Sequence, residues 1–364
     1  MNEISVELAN SSFSAPAIPK VAFERVRQKP GVIVQAISSN RLVSLINEND
    51  AVKKAFKKAV LIPTFMSYAA ILIPASFFIV ASGVGLKILG TISPKFMDSQ
   101  HSKIATIKNK TFGLLSDMCC LSDAVLITPF AFKQKVSVQQ EKDTHPLLVC
   151  IHGFFHNKTC WIGLENKIIE DTKDSDQPIT EKDIYALNIG EPLTFEEIDH
   201  YARFLATELE DIRKQRKLKE LDVILNCHSM GGLVAAQFAS TYATSVKVNF
   251  LLIANGTPWH GTPLAYFSQL ATCGKQMTPD HSFQKELGEK IKTIRDRVYL
   301  IASKGDTVVP YRSALGAELD IPEDHRFTLD LPVGHLAMLY SKEWQELNID
   351  LIKWAMANKV WEKN

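Results

Sequence analysis

The chain has 364 residues, 46% of them hydrophobic and 22% charged, with a formal net charge of +1. That length accommodates one large domain plus an extension, and the apolar share is ample for a core. A nearly neutral balance gives no electrostatic basis for binding nucleic acid, and six cysteines without CxxC or Cys/His spacing read as reduced thiols rather than metal ligands.

Residues 1–20 contain Ser, Ala and Pro and read as disordered, within a polar, partly helical N-terminal region that ends at 58. Lys53, Lys54, Lys57 and Lys58 give its last stretch a basic helical face, suited to an anionic surface or to plain solvation. From Ala59 to Leu86, 28 residues carry no charge. About 20 apolar residues suffice to cross a bilayer, so residues 59–90 are expected to associate with a membrane. Pro63, Pro74, Gly83 and Gly85 interrupt the run, leaving a tilted transmembrane helix, a re-entrant hairpin and a buried hairpin as alternatives. The run begins too far from Met1 for a cleaved signal peptide. Lysines flank both ends, so charge gives only a slight preference for a cytosolic N-terminus. Residues 91–117 read as a linker and 118–364 as a second, larger domain.

Within that domain a strand at Leu147–Ile151 leads into His152-Gly153-Phe154-Phe155-His156, and a second is expected at Ile184–Asn188. A helix follows from Thr194 to about Lys217, with Ile198, Tyr201, Ala202, Leu205, Leu209 and Ile212 on one face and a capping box between Thr194 and Glu197. Strand, helix and the next strand make a parallel βαβ unit. That next strand, Leu221–Leu225, runs into Asn226-Cys227-His228-Ser229-Met230-Gly231-Gly232 and then into a helix reaching about Ser240. A serine where an apolar strand turns directly into a small-residue helix start is the arrangement that projects a hydroxyl above a sheet. Gly231 meets the need for a small residue two places on; Cys227 adds a thiol where glycine is usual. Another strand at Val246–Ala254 precedes Asn255-Gly256-Thr257-Pro258-Trp259-His260-Gly261-Thr262, and residues 264–295 insert between strand and helix as a cap. The sequon at Asn255 is expected to be silent, because a glycan there would crowd the site. A strand at Arg297–Ser303 ends near Asp306, and Phe327–Pro332 ends in Val333-Gly334-His335 before a closing helix from Ser341 to about Lys359. Ligands of α/β sheets collect at such strand ends.

Ser229, Asp306 and His335 thus occur in that order, each at the end of a predicted strand. A serine hydroxyl is a weak nucleophile near neutral pH, so a histidine must take its proton while a carboxylate fixes the imidazole tautomer. Backbone donors must also meet the charge on the carbonyl oxygen; the N–H groups of Phe154 and Met230 are the candidates. Asp320, Glu323 and Asp324 fall in a loop and Asp330 inside a strand, which leaves Asp306 as the acid. His152, Gly153, Phe155 and Trp259 are expected to line the substrate pocket, and His228 and His260 to pack beside it or line it rather than to transfer protons.

Over residues 118–360 the chain resembles the α/β-hydrolases of lipase and esterase type. The resemblance rests on His152-Gly153-Phe154, the elbow at Ser229, and Asp306 with His335. Gly256-Thr257-Pro258-Trp259-His260-Gly261-Thr262 is similar to a segment of bacterial lipases and of the GPI inositol-deacylase-like group, and Gln276–Phe283 less specifically to a lipase cap. The resemblance implies a mostly parallel sheet flanked by helices, with a helical cap. It also implies hydrolysis of lipid or other amphiphile esters through an acyl-enzyme, without cofactor or metal. Acyl transfer, thioester cleavage and a non-catalytic membrane tether are the alternative uses of such a domain.

Overall fold

The computed structural model describes residues 106, 109–114, 116–117, 145–154, 156–175, 177–189 and 194–362. The apolar segment at 59–90 lies outside them. Among the described residues no helix is long and apolar enough to cross a membrane.

Six parallel strands form one sheet in the order β2-β1-β3-β4-β5-β6, namely β1 Leu147–Ile151, β2 Ile184–Leu187, β3 Leu221–His228, β4 Val248–Asn255, β5 Val298–Ser303 and β6 Arg326–Leu329. Strand side chains alternate between faces. Leu147, Val149 and Ile151 therefore join one core, against helices α2 (Ile198–Gln215) and α3 (Met230–Thr241). Leu148 and Cys150 join the opposite core, against α1 (Ile162–Thr172) and α7 (Lys342–Asn358). Helices on both faces bury the central strands β1, β3, β4 and β5, which is why these are nearly continuous apolar runs.

The expected elements are present, with three differences. β2 and β3 do not pair with each other: β1 lies between them, so the crossover through α2 spans one strand. The chain leaves β1 toward one edge and returns at β3 toward the other, placing the topological switch point between β1 and β3. The second difference is that helix α2 begins at Ile198, not Thr194, and the capping box does not form. Its first amides find other acceptors, with Glu196 N–H donating to Tyr201 Oη at 2.9 Å and Ile198 N–H to Gln276 Oε1 at 2.7 Å. A tertiary partner thus replaces the local cap.

Third, the insertion after β4 carries two short helices, α4 (Thr272–Gln276) and α5 (Ser282–Ile291), and α5 sends Leu287 and Ile291 into the core beside α3. Its exposed apolar part is 264–270, where Leu264, Tyr266 and Leu270 are 46%, 60% and 97% exposed. A last short helix, α6 (Tyr311–Ala314), follows β5. Cys150, Cys160, Cys227 and Cys273 are free buried thiols.

Candidate active site

β1 and β3 are neighbours in register, with Ile151 opposite Cys227, so the loop at 152–154 and the turn at Ser229 leave the same end of the sheet side by side. Ser229 has φ 55° and ψ −127°, a conformation that costs about 1–3 kcal/mol for a side-chain-bearing residue and persists only when its surroundings enforce it. Ser229 N–H donates to Asn255 O at 2.8 Å, and the Asn255 side chain donates to Cys227 O at 2.9 Å and Asn226 Oδ1 at 2.7 Å. Trp344 Nε1 donates to Asn255 Oδ1 at 2.7 Å, which ties the elbow to α7. Asn255 is fully buried, leaving no room for a glycan.

Two glycines allow the chains to approach here. A Cβ at Gly231 would stand 2.5 Å from Ile151 O, and one at Gly153 would stand 2.8 Å from Ser229 Cβ. Cys227, by contrast, fits: it is buried among apolar residues on the α2/α3 face, opposite the small Ala254 of β4.

Asp306 follows β5 and is fully buried. Its Oδ1 accepts the N–H groups of Val308 and Val309 at 2.9 and 2.8 Å, which turns Oδ2 toward His335 Nδ1 at 2.7 Å. Burial alone would push the His335 imidazole down, but the charge and hydrogen bond of Asp306, with the charge of Asp117, raise it above its ordinary value. With Nδ1 taken by Asp306, Nε2 is the free basic position. No hydrogen bond joins Ser229 Oγ to His335 in this state; such contacts commonly tighten only when substrate binds. The two residues are linked instead through His228, whose ring centroid lies 4.5 Å from that of His335.

Met230 opens α3, so its N–H belongs to the helix start, where amides lack intrahelical acceptors; Phe154 directly follows the glycine packed on Ser229. Gly153 packs on Ser229, while the Phe155 side chain lies outside the described residues. Four of the residues expected near the pocket make packing and hydrogen-bonding contacts here. His152 is buried, with Nδ1 2.8 Å from Gly153 O and Nε2 accepting Ile189 N–H at 3.0 Å; it braces the 152–154 loop, and desolvation holds it down at about 3. His228 is buried too, with Nε2 3.0 Å from His335 O and its pKa pushed well down, chiefly by burial. The Trp259 side chain turns into the apolar core. His260 holds the turn after α6, through its N–H to Ser313 Oγ at 3.0 Å and its Nε2 accepting from Glu318 N–H at 3.3 Å. Strand-end position alone does not tell which way a side chain faces.

The residues missed in the sequence are Lys110, Ser116 and Asp117, from the segment expected to be a linker. Lys110 Nζ donates to Asp306 O, and Asp117 accepts backbone N–H groups beside His335. No local signal marks them, because about 200 residues separate the partners. Among the described residues no group of three metal-ligating side chains is gathered.

Residues 140–273 match the family model described as "Putative serine esterase (DUF676)". That segment includes Gly153, Phe154, Ser229 and Met230 and stops short of Asp306 and His335. No curated protein matches the sequence. Among solved structures, the chain is similar to phospholipase PlaB from Legionella pneumophila, at 16% identity over 43% of this chain and 37% of that one, with a TM-score of 0.36. It is also similar to Bacillus licheniformis lipase BlEst2, at 16% identity over 59% and 95% of the two chains with a TM-score of 0.42. For Aspergillus fumigatus lipase B the figures are 15% identity, 62% and 57%, and 0.45. The parallel sheet, the strained serine between β3 and α3, and the acid and histidine after β5 and β6 give the described domain the architecture of the α/β-hydrolase fold.

Proposed function

We propose that the protein is a serine hydrolase that cleaves carboxylic esters of lipids or acylated amphiphiles at a membrane surface. The observation that carries this reading is the buried Asp306–His335 pair, 2.7 Å apart, beside a serine held at φ 55°. A buried ion-paired histidine next to a strained hydroxyl is costly to maintain in a fold that does no chemistry. The esterase family match over 140–273 supports the same class.

Ser229 Oγ attacks the acyl carbonyl and gives its proton to His335 Nε2, while the Asp306 carboxylate stabilises the imidazolium. The N–H groups of Met230 and Phe154 receive the oxyanion, and losing one such donor typically costs about 3 kcal/mol. His335 returns its proton to the departing alcohol, leaving the acyl group on Ser229. Water, deprotonated by the same imidazole, then releases the acid. The lipid preference is supported by exposed Leu264, Tyr266 and Leu270 following the Gly-Thr-Pro segment, and by the uncharged run at 59–86.

Labelling of the detergent-solubilised protein with a fluorophosphonate, read by intact mass, tests the reading. One adduct is expected on wild type, none on Ser229→Ala, and a slow one on His335→Ala. Folded wild type that takes no adduct where a control hydrolase does would leave the tether as the better account.

A further inference from the structure

We propose that Ser116 and Asp117 are positioning residues for the base: from a segment 218 residues upstream they hold the backbone of residues 334–337, and so set the place of His335 beside Asp306. The inference rests on the serine-hydrolase reading of the site.

Four successive backbone amides carry it. Gly334 N–H donates to Ser116 Oγ at 2.9 Å, which in turn donates to Gly113 O at 2.7 Å. His335 N–H donates to Asp117 Oδ2 at 2.8 Å, and Leu336 and Ala337 N–H to Asp117 Oδ1 at 2.7 and 2.9 Å. Residues 337–340 form a 3-10 turn whose own preceding residue, Leu336, supplies no side-chain cap. The first amides of any helical turn need acceptors from outside it, and a carboxylate there is favoured by the aligned peptide dipoles. Asp117 supplies that cap from a distant part of the chain. Both its oxygens are engaged, so the loop is fixed in rotation as well as position, and charge-assisted bonds of this kind are roughly twice as strong as neutral ones.

Contact is close enough to require glycine. A Cβ on Gly334 would run into Gly113 O and Asp117 Cγ, and one on Gly113 into Gly305 O. The segment therefore touches the acid loop as well as the base loop, and Lys110 adds its bond to Asp306 O. Burial pushes the Asp117 carboxyl up, while the bonds from Ala337 and His335 and the charge of His335 pull against it.

The groups facing His335 are Asp306 after β5, Asp117 from the upstream segment, His228 at the elbow and His156 from the loop after β1, with Lys110 behind Asp306. Burial holds His156 at about 4 and His228 well down, so both are neutral near neutral pH. The charges that act on the imidazolium are then the two carboxylates. Removing the Asp117 charge should lower the His335 pKa, whereas a purely structural brace would leave it in place.

The test uses the full chain as Asp117→Asn, Asp117→Glu, Asp117→Ala and Ser116→Ala. The readouts are fluorophosphonate labelling of Ser229, kcat and KM with p-nitrophenyl butyrate against pH, thermal melting, and titration of His335 by NMR on labelled histidine. Asp117→Ala is expected to lose up to about 100-fold in kcat with KM little changed, the scale of a small misplacement of a catalytic group. Asp117→Asn should keep part of the rate and move the His335 midpoint to lower pH, and Asp117→Glu should restore the midpoint. Wild-type kcat and an unmoved midpoint in folded Asp117→Asn and Ser116→Ala would overturn the proposal, even if Asp117→Ala fails to fold. Unlabelled wild type would instead defeat the serine-hydrolase reading, while the NMR midpoint in Asp117→Asn still decides whether Asp117 sets the base.

Discussion

His228 Nε2 lies 3.0 Å from the carbonyl oxygen of His335, so the residue before Ser229 holds the backbone of the proposed base. Deleting that imidazole leaves a buried carbonyl without its donor, a loss of about 1–3 kcal/mol. His228→Ala is expected to lower kcat by about tenfold to a hundredfold, since each 1.36 kcal/mol of barrier is tenfold in rate. KM for a small ester should hardly move. A steady-state comparison on p-nitrophenyl butyrate checks this, and an unchanged kcat would mean that the contact does not position His335.

The raised His335 pKa sets the pH dependence. Because the base works neutral, kcat/KM should rise with pH with a midpoint above the ordinary histidine value of about 6.5. Asp306→Asn removes the charge that favours the imidazolium, so the midpoint should move to lower pH while the rate falls by roughly 10⁴-fold. The same shift acts on stability: with the folded pKa raised, the contribution of His335 is full below the unfolded value and is lost as pH rises through the folded one. A wild-type midpoint below that of Asp306→Asn would contradict the assigned pair.

The placement of Ser229, Asp306 and His335 at one end of the sheet was legible because each follows a predicted strand, and a strand end is a position in the fold as well as in the sequence. Cores were legible for a related reason: the continuous apolar run of β1 marks a strand covered on both faces, and the 3.6-residue spacing of α2 states which of its faces is buried. Ser116 and Asp117 were not, since a polar pair between Leu115 and Met118 becomes a cap only when the loop at 334–337 arrives beside it. Thr194 with Glu197 carried a local cap signal that lost to Gln276, a partner 78 residues from Ile198. Trp259 and His260 follow a strand as Ser229, Asp306 and His335 do, yet one turns into the core and the other toward Ser313 and Glu318.

Cys227 stands where glycine would be expected, but the elbow forms above it with the thiol buried in the α2/α3 core. Replacing it by glycine removes buried atoms and loosens a central strand, for a combined cost of about 2 kcal/mol. Cys227→Gly should therefore melt about 5 °C lower, by the scaling for domains of this size. Its kcat/KM, measured below the melting range, should stay within about threefold of wild type, corresponding to less than 1 kcal/mol in the barrier. A large gain in turnover would show that the thiol does strain the nucleophile.

Leu264, Tyr266 and Leu270 stand in water just after the Gly-Thr-Pro segment, where burial in a lipid layer would be favourable. Fully burying a leucine side chain contributes about 1.5–3 kcal/mol. Replacing the nearly fully exposed Leu270 by aspartate removes that gain and adds a charge that resists entry into hydrocarbon. Leu270→Asp is thus expected to lower hydrolysis of phospholipid vesicles by about tenfold or more, the rate equivalent of 1.4 kcal/mol. Hydrolysis of p-nitrophenyl butyrate in free solution should be unaffected, because the substitution leaves Ser229, Asp306 and His335 untouched. The decisive quantity is the ratio of the two rates in one preparation. A parallel fall in both would point to damage at the catalytic centre, and unchanged vesicle hydrolysis would remove the 264–270 stretch from the lipid-facing surface.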